Sequence, residues 1–487
     1  MRWLRLRIDS RIGGPRGGLL VIVGGFLVSR ILFAGHRISF YDGEFMWQTV
    51  DFNLLRTHLA QSIFFLHSQP PLLNLFLGLV LKLTPDQLHA VQILKIIYQM
   101  IGFASMAIIY YLMVTFSVPV TVATVLTLLF EFNPGTLMLE SWYYTAYPTQ
   151  LLFLGAAFSL HRFLDRRGQL YGTAFLVCAT LPIFLNSSFQ PIWFIVVCTF
   201  CWLCFEERLR ELIPAGVAML VLLCALVIKN AVLFGVFTTS SWFGMNLARV
   251  ALPMVSWDDQ RRAVAEGKIS NFVFIQPFEP LDKYPGEKAD ATGIPVLDER
   301  KKANGVDNFN NILYIDISRH YLHDSIWTLA HHPIDYSHEL VRTCGCYFGP
   351  HKDQDIRLSS RLGRWNRLCD YVLGTATLEW WPRQQRCVTV SLTLLIGLPL
   401  IFIWTAMSLR RATWDPSDIT RAFMLMTIAY TSATAVMLEI GENPRFRSVV
   451  DPLFLVLLGC LIGNLYRYFG SCRLQNAMAG QEVDVGD

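Results

Sequence analysis

Asp42 and Glu44 stand one residue apart in "SFYDGEFMWQTVD" (39–51), directly after the first long apolar run, and Asp51 closes the stretch. Carboxylates beside hydrocarbon are costly and mark function unless water solvates them. A carboxylate held against a hydroxyl is a general base. In an extended segment the two acids point to opposite sides, whereas a turn converges them. The residues leave two readings open, a catalytic or ligand-binding pair and a solvated loop. Arg445 and Arg447 lie with Glu442 in "GENPRFRSVVDP" (441–452). Guanidinium groups grip phosphate through paired hydrogen bonds; the alternative is an arginine pairing Glu442 and snorkelling to the interface. His67 and Gln69, in "HSQPPLLN" (67–74), add a cation and an amide, and Arg56 a further cation.

These groups sit in a chain built for lipid. Of its 487 residues 53% are hydrophobic and 16% charged, and mean hydropathy is +0.40. Soluble domains carry about 25% charged residues. Apolar runs fall near 17–35, 70–83, 91–115, 117–132, 147–164, 170–186, 191–205, 212–230, 387–408, 420–438 and 448–466. The expected fold is an all-α polytopic membrane protein with about ten to eleven transmembrane helices and an extracytoplasmic mixed soluble domain. The net charge of +4 gives no reason to expect nucleic acid. Arg2, Arg5, Arg7, Arg11 and Arg16 precede the first run, which reads as a retained anchor rather than a cleaved signal.

Basic loops set the sidedness. "DRR" (165–167), "EERLRE" (206–211) and Arg410–Arg411 are expected in the cytoplasm with the N-terminus. Residues 36–69 and 133–144 then both face outward, and three apolar runs lie between them. Only an even number can cross, so one dips in without spanning. The run 70–83 is the shortest and starts at Pro70–Pro71, where proline costs no helical hydrogen bond. Residues 45–66 read as an amphipathic helix or helix pair along the outer interface. The resulting units are a basic N-terminus (1–16), a transmembrane module (17–230) with its outer loop 36–69, an outer soluble domain (231–386), C-terminal membrane helices (387–466) and a cytoplasmic tail (467–487).

Other candidates carry less. Cys198, Cys201 and Cys204 have CxxC-like spacing inside an apolar helix, where cysteine packs. Cys344 and Cys346 have a possible partner in Cys369, which spacing alone does not establish. His320, His323, His331, His332 and His338 read as surface or structural histidines rather than a metal site. Arg30 and Lys95, inside apolar runs, either serve function or pair with other helices. Asn186-Ser187-Ser188 is a formal glycosylation sequon against the membrane and is expected to be unused.

The first run, the acidic "YDGE" loop, "HSQPPL" and a large insert between later runs resemble the C-type integral-membrane glycosyltransferases, which use polyprenyl-phosphate sugars. The nearest branch is that of protein O-mannosyltransferases and aminoarabinose transferases. The resemblance covers roughly 17–230, and 387–466 more weakly. It implies that Asp42 is the catalytic carboxylate; the family's second acid adjoins the first, and here Gly43 separates Glu44 from it. "HSQPPL" is similar to the family's His-Pro-Pro-Leu stretch with two residues inserted after His67. Where the family has a further Asp, Tyr147 stands, and Glu140 is the nearest substitute.

The implied reaction is an inverting displacement at the outer face. Asp42 takes the acceptor's proton, and Arg445, Arg447, Arg56 and His67 steady the departing phosphate. Gln69, Glu442 and Glu140 are weaker substrate contacts. No metal or cofactor is required, and the acceptor is a glycan, lipid or protein. The absence of a dense outer disulfide set favours a bacterial inner membrane over the endoplasmic reticulum. A transporter or flippase of lipid-linked sugars and a non-catalytic envelope assembly protein are the competing readings.

Overall fold

The structure is a computed structural model describing residues 14–35, 39–166, 168–286, 290–350, 374–380, 386–410 and 413–483, with residues 364, 367, 368, 371 and 372 between. Arg2, Arg5, Arg7, Arg11, Arg167, Cys369 and Arg411 lie outside the described residues. The helices that matter for the site are α1 (Pro15–Gly35), α2 (Phe52–Thr57), α3 (Leu59–Phe64), α4 (Leu72–Leu83), α5 (Gln87–Thr115), α6 (Val120–Glu131), α7 (Pro134–Glu140), α8 (Ala146–Arg166) and α9 (Gln169–Thr180). They continue with α10 (Pro191–Phe205), α11 (Leu209–Phe234), α12 (Phe243–Ala251), α13 (Leu313–His331), α14 (Pro333–Tyr347), α15 (Leu392–Ser408), α16 (Pro416–Leu438), α17 (Asn443–Ser448) and α18 (Asp451–Val483). Among the described residues one antiparallel pair of strands, β1 (Thr375–Trp380) and β2 (Arg386–Ser391), precedes α15.

This is a polytopic α-helical membrane protein. Among the described residues five helical stretches are long and apolar enough to cross a membrane: α1, α5, 191–234, α16 and 451–469. They become six if α6 and α7, bent by 58° between them, form one broken span. The number is below the sequence expectation for identifiable reasons. Residues 72–83, 169–185 and 392–408 form shorter apolar helices, and α10 and α11 run together through a 3-10 turn at Glu206–Arg208. Lys95 lies in α5.

The segments 39–71, 132–146, 186–190, 235–286, 290–350 and 439–450 gather at one end of this bundle. Tyr41 pairs with the Trp142 strand segment, Gln190 reaches Thr239, and Arg249 reaches Ile440. Both ends of α4 are bound to residues 48–56 of that end. Asn74 exchanges hydrogen bonds with Gln48 and Val50, and Arg56 donates to the carbonyls of Thr84 and Pro85 at 3.1 Å. With 12 residues, α4 is only about 18 Å long. It lies along α2 and α3, which form the helix pair expected from 45–66.

The insert has its own apolar core, in which Trp242, Met245, Phe272, Phe309, Tyr314 and Tyr321 pack together. Its described part is mainly helical, with β1 near its end. Gly244 lets α12 meet α13: a Cβ there would overlap the Ser318 carbonyl and lie 2.8 Å from the Leu322 nitrogen. Neither backbone can yield cheaply. Gly244→Ala is therefore expected to cost about 2 kcal/mol through overpacking, read as a lower melting temperature of the purified protein.

Candidate functional site

Gly43 adopts φ +81°, a left-handed turn that a side chain strains. The turn brings Asp42 and Glu44 together on one partner: Gln87, at the start of α5, donates to Asp42 Oδ2 at 2.7 Å and to Glu44 Oε2 at 2.9 Å. Asp42 Oδ1 accepts the Glu44 backbone N–H. The acids are thus convergent, as a turn allows, and both are held by the fold.

The insert clamps this loop through donors aimed at its backbone. Buried Lys302 donates to the Met46 carbonyl at 2.5 Å, and Asn304 to that of Glu44 at 2.9 Å. Burial pulls the Lys302 ammonium down to about 8, against the pull of Asp51 and Glu44. Asp51 caps α2 and also accepts from the Ala303 N–H at 2.6 Å. Asn310 accepts from the N–H groups of His67 and Ser68 and donates to the Phe65 carbonyl. Asn310→Ala leaves those buried donors unsatisfied. The expected loss is about 2 kcal/mol, with faster proteolysis within 39–71 as the readout.

His67 is part of that clamp and not a surface cation. Its Nε2 lies 2.9 Å from the Asn310 carbonyl and its Nδ1 2.7 Å from Ser241 Oγ. Burial, with Lys229 nearby, drives its pKa down to about 3, so the ring is neutral. Arg56 is spent on the end of α4. Arg447, 1% exposed, donates to the carbonyls of Tyr347 and Gly349 and to Asp451 at 3.2 Å. It fastens the end of α14 to α18. Glu140 is bound by Arg30 and Tyr147, and Glu131 shares the same arginine. Arg30 therefore pairs with other helices.

The histidines of the insert are separated in use. His320 meets the edge of Phe272, His323 lies by Asp324, His331 stacks on Trp327 and His332 pairs with Asp335. Cys344 and Cys346 are free thiols, as are Cys198, Cys201 and Cys204 on α10.

Arg445, Glu442 and Gln69 meet at a cavity of about 470 Å³ at this end of the bundle. Six parts of the chain build it, residues 276–278 among them. The first loop supplies Trp47, Gln48 and Gln69; the start of α8 supplies Tyr144, Thr145 and Ala146. Residues 186–190 and α12 form further walls, and α16 lines it from Tyr430 to Leu438, about 12 Å of helix. Glu439, Glu442, Arg445 and Phe446 follow directly. Asp42, Glu44, Arg56, His67, Glu140 and Arg447 do not line it.

Two ion pairs define its charge. Arg445 binds Glu442 at 2.5 Å and covers the Tyr144 ring at 4.6 Å. Burial opposes the Arg445 cation, but Glu442, Tyr144 and Glu439 outweigh it and hold its pKa above the ordinary value. Arg249, from α12, binds Glu439 at 3.1 Å. Burial pushes the Glu439 carboxyl up to about 7, although Arg249 pulls it down. The cavity thus holds two guanidinium groups beside a carboxyl poised near neutrality. It can bind an anion and exchange a proton.

Sequence reasoning missed Glu439 and Arg249. Glu439 ends an apolar run three residues before Glu442, and such a position is a signal. Arg249 follows Phe243, Asn246 and Leu247 at helical spacing, which shows one face of α12 turned to a common surface. The chain matches no family model, and no curated protein or solved structure is similar to it at a significant level.

Proposed function

We propose that this protein is an inverting glycosyltransferase that moves a sugar from a polyprenyl-phosphate carrier to an acceptor hydroxyl at the outer face of the membrane. The observation that carries the reading is the cavity where Arg445 and Arg249 stand beside Glu439 at the C-terminal end of α16. A lipid-borne phosphate needs cations at a membrane interface and an apolar approach. The lining along α16, with Ile192 and Val449, offers that approach. The C-type resemblance points the same way. Ten to eleven crossings, cytoplasmic termini and α4 as the non-spanning element complete the arrangement, in a bacterial inner membrane.

In this reading Arg445 and Arg249 hold the phosphate and Glu439 accepts the proton of the acceptor hydroxyl. The hydroxyl oxygen attacks the anomeric carbon from the side opposite the phosphate. The bond from that carbon to the phosphate oxygen breaks, and its electron pair leaves with the phosphate. Phosphate is a sufficient leaving group without a strong acid. Asp42, which the resemblance puts in the base role, is engaged by Gln87 outside the cavity; it shapes the loop that presents Trp47 and Gln48.

The test is a membrane assay with radiolabelled polyprenyl-phosphate sugars. Transfer is expected with the native chain, and with Asp42→Asn at a rate within about threefold of it, as asparagine keeps one oxygen for Gln87 and gives up only the bond from the Glu44 N–H, outside the cavity. Loss of transfer with Asp42→Asn returns the base role to Asp42. Movement of the lipid-linked sugar across the membrane without bond cleavage overturns the transferase reading in favour of a flippase.

A further inference from the structure

The polar lining that remains after the two ion pairs is uncharged. Arg249 is paired with Glu439 and Arg445 with Glu442, and these four are the charged groups of the lining. The rest consists of carboxamides and hydroxyls. Gln69 is 8% exposed, yet among the described residues its side chain has no hydrogen-bond partner, so its amide is turned to the cavity. The side chains of Asn246 and Gln276, also in the lining, are equally unpaired. Each carboxamide offers two N–H donors and a carbonyl acceptor. Gln69 is buried, Asn246 half-buried and Gln276 exposed at the cavity rim, so the amides present their donors and acceptors to the cavity from its wall outward.

Aromatic rings adjoin these amides. Trp47 stacks on Phe278 at 5.9 Å, and Trp242 meets the same ring edge-on at 5.1 Å; all three line the cavity. Trp47 is 47% exposed, a large surface to leave uncovered. A ligand with hydroxyls on its rim and C–H groups on its faces satisfies both features at once. The charged groups of the lining are those that meet the phosphate and the proton, so a free amine or carboxylate on the ring itself would have no charged partner among these amides and rings, and desolvating it there would be costly.

We infer that Gln69, Asn246 and Gln276, with Trp47 and Trp242, form a subsite for an uncharged polyhydroxylated ring, a neutral pentose or hexose rather than an amino sugar or a uronic acid. The subsite deepens the transferase reading and rests on it for the role of the ring as the transferred group. Its occupancy by a free saccharide does not depend on the lipid phosphate.

The experiment uses the full chain in nanodiscs with two sets of probes. Saturation-transfer NMR with methyl hexoside, methyl aminohexoside and methyl hexuronide reads the ring alone. Binding of polyprenyl phosphate without sugar reads the phosphate site. The neutral glycoside is expected to bind at least tenfold more tightly than either charged one. The double variant Gln69→Ala/Asn246→Ala should weaken it at least tenfold while leaving polyprenyl-phosphate affinity within twofold. Equal binding of charged and neutral glycosides, no binding of the neutral one, or no effect of the double variant overturns the subsite. Neutral-glycoside binding without polyprenyl-phosphate binding keeps the subsite and overturns the lipid-phosphate reading. Asn246→Gln, which retains a carboxamide, separates lost contacts from lost folding: native melting with partial binding is the result expected.

Discussion

Arg445→Ala is expected to lower sugar transfer about 100- to 1,000-fold, the range for removing one preorganised group that meets developing charge. The guanidinium is 9% exposed, backed by the Tyr144 ring and aimed by Glu442. Its position is thus fixed before any phosphate arrives. The fold should survive the change, because the orphaned Glu442 is 45% exposed and water can solvate it. Arg445→Lys should recover only part of the activity, since an ammonium keeps the charge but not the planar pair of donors. Initial rates with a radiolabelled polyprenyl-phosphate sugar, set beside the melting temperature of each variant, check this. A variant with native melting and near-native transfer would remove Arg445 from the phosphate site.

Glu439→Gln should be equally severe, and its signature lies in pH. The carboxyl sits in the cavity wall with its pKa raised to about 7, burial outweighing the Arg249 ion pair. A base works when deprotonated, so kcat should rise tenfold per pH unit below about 7 and level off above it. Glutamine is nearly isosteric and keeps a hydrogen bond to Arg249, but it cannot take a proton. The variant's residual activity should lose this limb. Arg249→Gln removes the stronger of the two cations, Arg249 and Arg445, that pull the value down, so the limb should move to higher pH while the native shape remains. A limb that stays put in Glu439→Gln would assign it to another group.

The sequence reveals the fold more fully than the site. Runs of apolar residues announce membrane helices because backbone groups in lipid have few other ways to be satisfied. Pro70–Pro71 and a short run mark α4 as unlike the others, and both its ends meet one loop. The site depends on long-range pairing that no local pattern records. Gln87 is 45 residues from Asp42, and Arg249 is 190 residues from Glu439. "GENPRFR" points to Arg445 and Glu442 correctly as a neighbourhood, yet Arg447, two positions on, turns the other way to hold carbonyls of 347–349. His67 looks like a cation in sequence because its burial comes from Asn310 and Ser241, supplied by the insert.

That dependence on the insert has a consequence for how the chain is made. Lys302, Asn304 and Asn310 grip Met46, Glu44 and His67 across separations of 256, 260 and 243 residues. At about 5–20 residues per second, synthesis of that interval takes on the order of tens of seconds. The acidic turn therefore leaves the ribosome long before its clasp exists. A nascent chain stopped short of residue 302 would carry a loop with unmet carbonyls, a ready target for quality control during insertion.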